Sequence, residues 1–113
     1  MTNMTNQEGR PFNAKELCDQ IGIMNIFAIS GGRVRNIVND QGETIQVELP
    51  VSNGYLVSIQ LGWDDTWTVS REFVRKGTVF QKGTVEGVYC DQVGEIAYKA
   101  ACFRNVEFGK VSA

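Results

Sequence analysis

The chain has 113 residues, 42% of them hydrophobic and 21% charged, which makes one domain with a modest core and excludes a disordered chain. Eleven basic against thirteen acidic residues leave a net charge of −2, neither the basic excess of a nucleic-acid binder nor the charge of a polyanionic mimic. Histidine is absent, so Ser-His-Asp and Cys-His nucleophile systems and imidazole metal sites are excluded.

Residues 1–10 are polar and aperiodic and read as a flexible tail. Residues 11–104 then form a single α+β domain. Asn13 and Glu16 have the spacing of a capping box, and Phe12 and Leu17 sit where a hydrophobic staple would sit. Leu17 and Ile21 share a face and Gly22 is a stop signal, so the spacing predicts a short helix over 14–21. From Ile23 the period reads as two. Ile26 to Ile29 is expected to be a strand, bent at Ser30-Gly31-Gly32 and continued by Arg33 to Val38.

Asn39 to Gly42 supplies turn chemistry, and Ile45, Val47, Leu49 and Val51 then alternate with Gln46 and Glu48 as in a half-buried antiparallel strand. Pro50 points to an edge or a terminus. Asn53-Gly54 is a strong hairpin signal before the strand from Tyr55 to Leu61. A turn at Gly62 to Asp65 leads to a strand over 66–75, with Trp67, Val69 and Phe73 on one face. Lys76-Gly77 turns into a last strand over 78–88. The repeat of Lys-Gly-Thr-Val at 76–79 and 82–85 has too few copies for a solenoid.

Asp91 is the candidate cap of a closing helix. Its stripe of Val93, Ile96, Ala97, Ala100 and Ala101 is small enough to lie close to a sheet, with Phe103 sealing the far end. Residues 105–113 hold few apolar anchors and read as a frayed tail. The resulting fold class is α+β: an N-terminal helix, an antiparallel meander of about five strands, and a C-terminal helix packed on one face of the sheet. Cys18, Cys90 and Cys102, with no CxxC and no signal-like start, read as reduced thiols in a cytoplasm. The apolar stretch from Ile21 to Ile29 is too short to span a membrane.

Several clusters could carry chemistry. Asp64 and Asp65 could bind a metal, but adjacent extended residues point apart, and a polar turn is the simpler reading. Ser30, Gly31, Gly32 and Arg33, followed by Arg35, could cradle a phosphate, with Trp63 stacking on a base. A bend in a long strand explains the glycines more simply. Arg71, Arg75 and Lys76, near Trp67, Phe73 and Phe80, could form a platform for single-stranded nucleic acid. Trp67, Val69 and Phe73 also make an ordinary core stripe, shared in parity by Arg71, and that reading is preferred. Cys18 and Cys102 read as small buried hydrophobes, and Cys90, at a helix start, as a thiol without a base. No catalytic residue, metal site or cofactor is assigned.

The segment Gly87-Val88-Tyr89-Cys90-Asp91-Gln92-Val93-Gly94-Glu95-Ile96, together with Trp67-Thr68-Val69, resembles the matching places in a group of short uncharacterised proteins from actinobacterial phages and mobile elements. The resemblance covers the C-terminal half and implies a phage accessory gene expressed in a bacterial cytoplasm, without an activity. The leading expectation is a small non-enzymatic binding protein that contacts a host or phage macromolecule. A phosphate-containing small ligand or nucleotide is the alternative, and single-stranded nucleic acid a further one. A homodimer through a sheet edge or the open sheet face is compatible with the pattern, and a membrane is not.

Overall fold

Asn13 starts the first helix through the predicted cap. Its Oδ1 accepts a hydrogen bond from the Glu16 amide at 3.0 Å, and α1 runs Ala14–Ile21 in a computed structural model that describes residues 9–102 and 108–109. Gly22 ends α1 with φ +93° and donates its amide to Cys18 O. The chain then enters a second helix, α2 (Ile23–Ser30), where the period suggested a strand. The expected strand over Ile26 to Ile29 is therefore corrected. Ile26, Ile29 and Ser30 are buried at the i, i+3, i+4 spacing of a helix, and a run of eight mainly apolar residues does not separate the two periods by itself. Phe12 sets its ring edge against Trp67, with centroids 5.0 Å apart.

Five strands follow, β1 (Arg35–Val38), β2 (Thr44–Pro50), β3 (Tyr55–Leu61), β4 (Trp67–Arg75) and β5 (Thr78–Val88), as an antiparallel meander in the order β1-β2-β3-β4-β5. The predicted hairpins place the turns. Asn53 and Gly54 both have positive φ, and a Cβ on Gly54 would come within 2.8 Å of Val74 O, so that position requires glycine. The register pairs Leu49 with Val57 and Val47 with Ile59 across β2 and β3, and Ile59 with Val69 across β3 and β4. That alternation gathers the buried apolar residues on one face.

The last helix, α3 (Val93–Ala101), covers that face together with α1 and α2. Its N-cap is Gln92 rather than the expected Asp91, with no side-chain cap bond. Gly94 lies so close to α1 that an added Cβ would stand 2.5 Å from Ile21 O, while Ala97 and Ala100 are buried over the sheet. The core joins Leu17, Ile21, Ile26 and Ile29 of the first two helices to Val47, Leu49, Val57, Ile59 and Val69 of the sheet.

Phe103 and most of the two expected tails lie outside the described residues. Four described residues of those segments make contacts with the domain. Arg10 donates to Gly62 O at 2.7 Å, Phe108 is buried in the core, and Gly109 O accepts the Thr84 amide at 2.9 Å. No helix among the described residues is long and apolar enough to cross a membrane.

Arg71, only 3% exposed, points from β4 to the C-terminal end of α3. Its Nε donates to Ala100 O at 2.7 Å, and its Nη2 donates to Lys99 O at 3.2 Å and Cys102 O at 2.9 Å. The Phe108 ring lies 5.0 Å from its guanidinium carbon. These carbonyls lie at the helix end, where intrahelical partners run out, although Lys99 O also accepts the Cys102 amide at 3.2 Å, and they carry the negative end of the helix dipole. Arg71→Leu is expected to destabilise the fold by about 2 kcal/mol or more, since it strands the buried Ala100 carbonyl and removes the donors of two part-buried ones. Arg71→Lys is expected to recover only part of that loss, because an ammonium cannot reproduce the planar fork. Urea denaturation of the three proteins checks both statements, and an unchanged midpoint for Arg71→Leu would refute them.

Candidate functional site

Hairpin connections alternate between the two ends of a meander, and here they sort charge. At one end lie the α2–β1 connection with Arg33, the start of β1 with Arg35, the uncharged Ser52 to Gly54 turn, and the β4–β5 turn with Arg75 and Lys76. The opposite end carries Asp40 and Glu43 in the β1–β2 turn, Asp64 and Asp65 in the β3–β4 turn, and Asp91 before α3. Arg10 also reaches that acidic end, pairing with Asp65 at 2.5 Å and lying 5.6 Å from the centroid of the Trp63 ring.

The proposed Ser30-Gly31-Gly32 phosphate cradle is the C-terminal end of α2 rather than a bend in a strand. Gly31 caps the helix at φ +66° and donates its amide to Phe27 O. Ser30 Oγ is hydrogen-bonded to Ile26 O at 3.1 Å and to Arg33 O at 2.6 Å. A helix C-terminus presents carbonyls and negative potential, so this segment does not cradle an anion with its amides. Trp63 is 79% exposed at the acidic end, a strand length from Arg33 and Arg35. The expected constellation is thus divided: the two arginines come together, and neither the glycines nor Trp63 joins them.

What the arginines do line is a surface depression of about 570 Å³, walled by Arg33, Arg35, Pro50, Tyr55, Leu56 and Val74 among others. Arg33 Nε donates to Ser30 O at 3.0 Å, which holds the guanidinium at the helix end. Arg35 pairs with Glu48 at 3.1 Å, and Glu48 in turn accepts from Gln46 Nε2.

Arg71, Arg75 and Lys76 do not form one basic surface. Arg71 is consumed by α3, whereas Arg75 and Lys76 are exposed at the hairpin tip. The aromatics nearest them, Tyr55, Phe73 and Phe80, make a row across β3, β4 and β5 with centroids 4.9 and 6.3 Å apart. Asp64 serves its own turn: its Oδ1 accepts from the Thr66 hydroxyl at 2.7 Å and the Thr66 amide at 3.2 Å, and the hydroxyl bond is the main cause of a lowered pKa. Cys18 is half-buried, and burial pushes its thiol pKa up, with Asp19 adding to the effect. Cys102 is exposed, not buried as its stripe suggested, and Cys90 is exposed too.

Sequence reasoning missed one surface entirely. Ile23, Met24 and Phe27, at i, i+1 and i+4 of α2, are 67%, 79% and 58% exposed. They lie in an eleven-residue stretch, Gly22 to Gly32, that contains no charged residue. The available signal was the amphipathic spacing of Ile26 and Ile29, which assigns the remaining large side chains to the outer face once the segment is known to be helical.

No protein-family model matches the chain, and no curated protein or solved structure matches it.

On the sheet face away from the helices, Glu72 lies opposite Leu56. Burial raises its pKa and the nearby Glu48 carboxylate raises it further. A raised carboxyl pKa lets the native state hold a proton that the unfolded chain has released, so stability falls as pH rises from the unfolded to the folded value. Glu72→Gln is therefore expected to be more stable than the parent at pH 7 and to lose that advantage below the ordinary glutamate range. Urea titrations at pH 7 and pH 3.5 check it. An advantage that persists at the lower pH would assign the gain to packing instead.

Proposed function

We propose that the protein is a small non-enzymatic binding protein whose contact surface is the outer face of α2. The observation that carries this reading is the exposure of Ile23, Met24 and Phe27 together in a segment without charge. Their exposed area is on the order of 400 Å², comparable to the largest apolar patch of a typical monomer. The partner is a protein with an apolar groove that receives α2 as a ridge. A second copy fits less well: two convex ridges meeting across a two-fold axis bury little beyond the patch itself, and a stable interface needs about 800 Å² per partner. A lipid surface also fits less well, because helices that lie on membranes carry lysines and arginines on their polar face, and α2 has none. On the resemblance of Trp67 to Val69 and Gly87 to Ile96, the partner is a host or phage protein in a bacterial cytoplasm and the chain a phage accessory product.

Met24→Asp tests this reading without attacking the fold. Residue 24 is exposed in the first turn of α2, where a carboxylate suits the helix dipole. The variant is expected to keep its thermal midpoint and to lose a stoichiometric protein partner that the parent, bearing a photocrosslinker at residue 28, captures. A Lys76→Gln control retains the partner. Identical capture by Met24→Asp and parent overturns the reading. So does light scattering that shows a dimer abolished by Met24→Asp, or binding of α2 to phospholipid vesicles.

A further inference from the structure

We infer that the depression at the basic end of the sheet binds a small organic phosphate, with Arg33 and Arg35 holding the anion and Pro50, Leu56 and Val74 contacting its apolar body. The site is separate from the outer face of α2 and does not depend on it.

Three observations carry the inference. The first is charge placement. The chain is net negative, yet the connections and strand ends place Arg33, Arg35, Arg75 and Lys76 at one end of the sheet, while the acidic turns lie at the other end. Such segregation gives a weakly acidic protein one pole that attracts anions. Glu48, the acid beside this site, is already paired with Arg35.

The second is the state of Arg33. Its Nε is committed to Ser30 O, and among the described residues its two Nη atoms take no hydrogen bond. A guanidinium fixed by one edge keeps its other donors in a set plane, and two nearby guanidiniums are suited to a phosphate that accepts several bonds. The group that holds Arg33 is a neutral helix carbonyl and not a competing carboxylate.

The third is shape. The depression measures about 570 Å³, within the usual range for small-molecule sites of roughly 300–1,000 Å³. Its walls are mostly apolar, with Pro50, Val51, Leu56 and Val74 among the lining residues. An inorganic anion would leave this apolar wall unused, and an uncharged aromatic would leave the arginines unpaired. A ligand that carries both groups uses the whole site. A single nucleic-acid strand is a poorer match. The rings of Tyr55, Phe73 and Phe80 pack against one another in a row, whereas stacking platforms offer separate faces to successive bases.

The test uses the full chain, followed by amide chemical-shift titration with adenosine 5′-monophosphate, inorganic phosphate and adenosine as separate probes. The inference expects saturable shifts at residues 33–35 and 54–56 with the nucleotide, and at least about tenfold weaker binding of phosphate or adenosine alone. Arg35→Gln is expected to weaken the nucleotide about tenfold or more, while Lys76→Gln, outside the depression, changes it less than about threefold. Because Arg33 also holds the end of α2, Arg33→Lys is the second variant. It keeps the charge, removes the fork, and should weaken the nucleotide with the amide spectrum of α2 unchanged. Equal affinity for phosphate and nucleotide, shifts centred on Arg75 and Lys76, tighter and strongly salt-dependent binding of an oligonucleotide, or no shift at 10 mM would each overturn the inference.

Discussion

A single buried guanidinium joins the sheet to the helix layer. Arg71 leaves the middle of β4 and ends on the carbonyls of Lys99, Ala100 and Cys102, where α3 runs out of internal partners. Burial lowers its pKa, and the opposing influence of Tyr55 and Cys102 raises it, but a guanidinium remains charged throughout the range in which the protein would work. Removing such a charge from water is expensive, and it is tolerated here because the helix end offers several oriented acceptors and the negative pole of its dipole. The Phe108 ring lies against the group, so that residue is held by the same contact.

Once α3 is placed, the rest of the helix layer has few choices. Gly94 admits the close approach to Ile21, and Asn25 secures that corner through its hydrogen bond to Ile21 O at 2.9 Å. α2 must then turn Ile26 and Ile29 inward, since these are the side chains that reach the shared core. Its remaining large residues, Ile23, Met24 and Phe27, are left exposed. The apolar outer face is thus a consequence of a helix layer too narrow to bury every hydrophobe in it, and it is the feature of this molecule most in need of a partner.

The meander has its own consequence. Successive hairpins face opposite ways, so residues distant in sequence share an end of the sheet. Arg33 and Arg35 lie at the same end as the β4–β5 turn, and Asp40 lies at the other end with Asp64 and Asp65. A chain with nearly balanced charge becomes a molecule with two unlike poles. The open sheet face between them carries a polar network. Gln60 bonds Gln46, Gln46 bonds Glu48, and Glu48 pairs with Arg35, so charge there is held within a network.

Local signals in the sequence determined the α1 cap, the Asn-Gly and Lys-Gly hairpins, the alternation in β2 and β3, and hence the α+β class and its meander. Each of these depends on residues adjacent or a few positions apart, where backbone preference and side-chain period act directly. The sequence also indicated that Arg71 shares the parity of the core stripe, though not what a buried arginine would find there. Tertiary structure alone decided the remainder. Ile23 to Ser30 became a helix because its inward residues had to meet α3 and β2, a contact that no local period contains. Ser30 to Gly32 became a helix terminus for the same reason. Trp63 and Arg33 were sent to opposite ends because each hairpin reverses the chain, so function-bearing neighbours were set by strand length and connection order rather than by residue type.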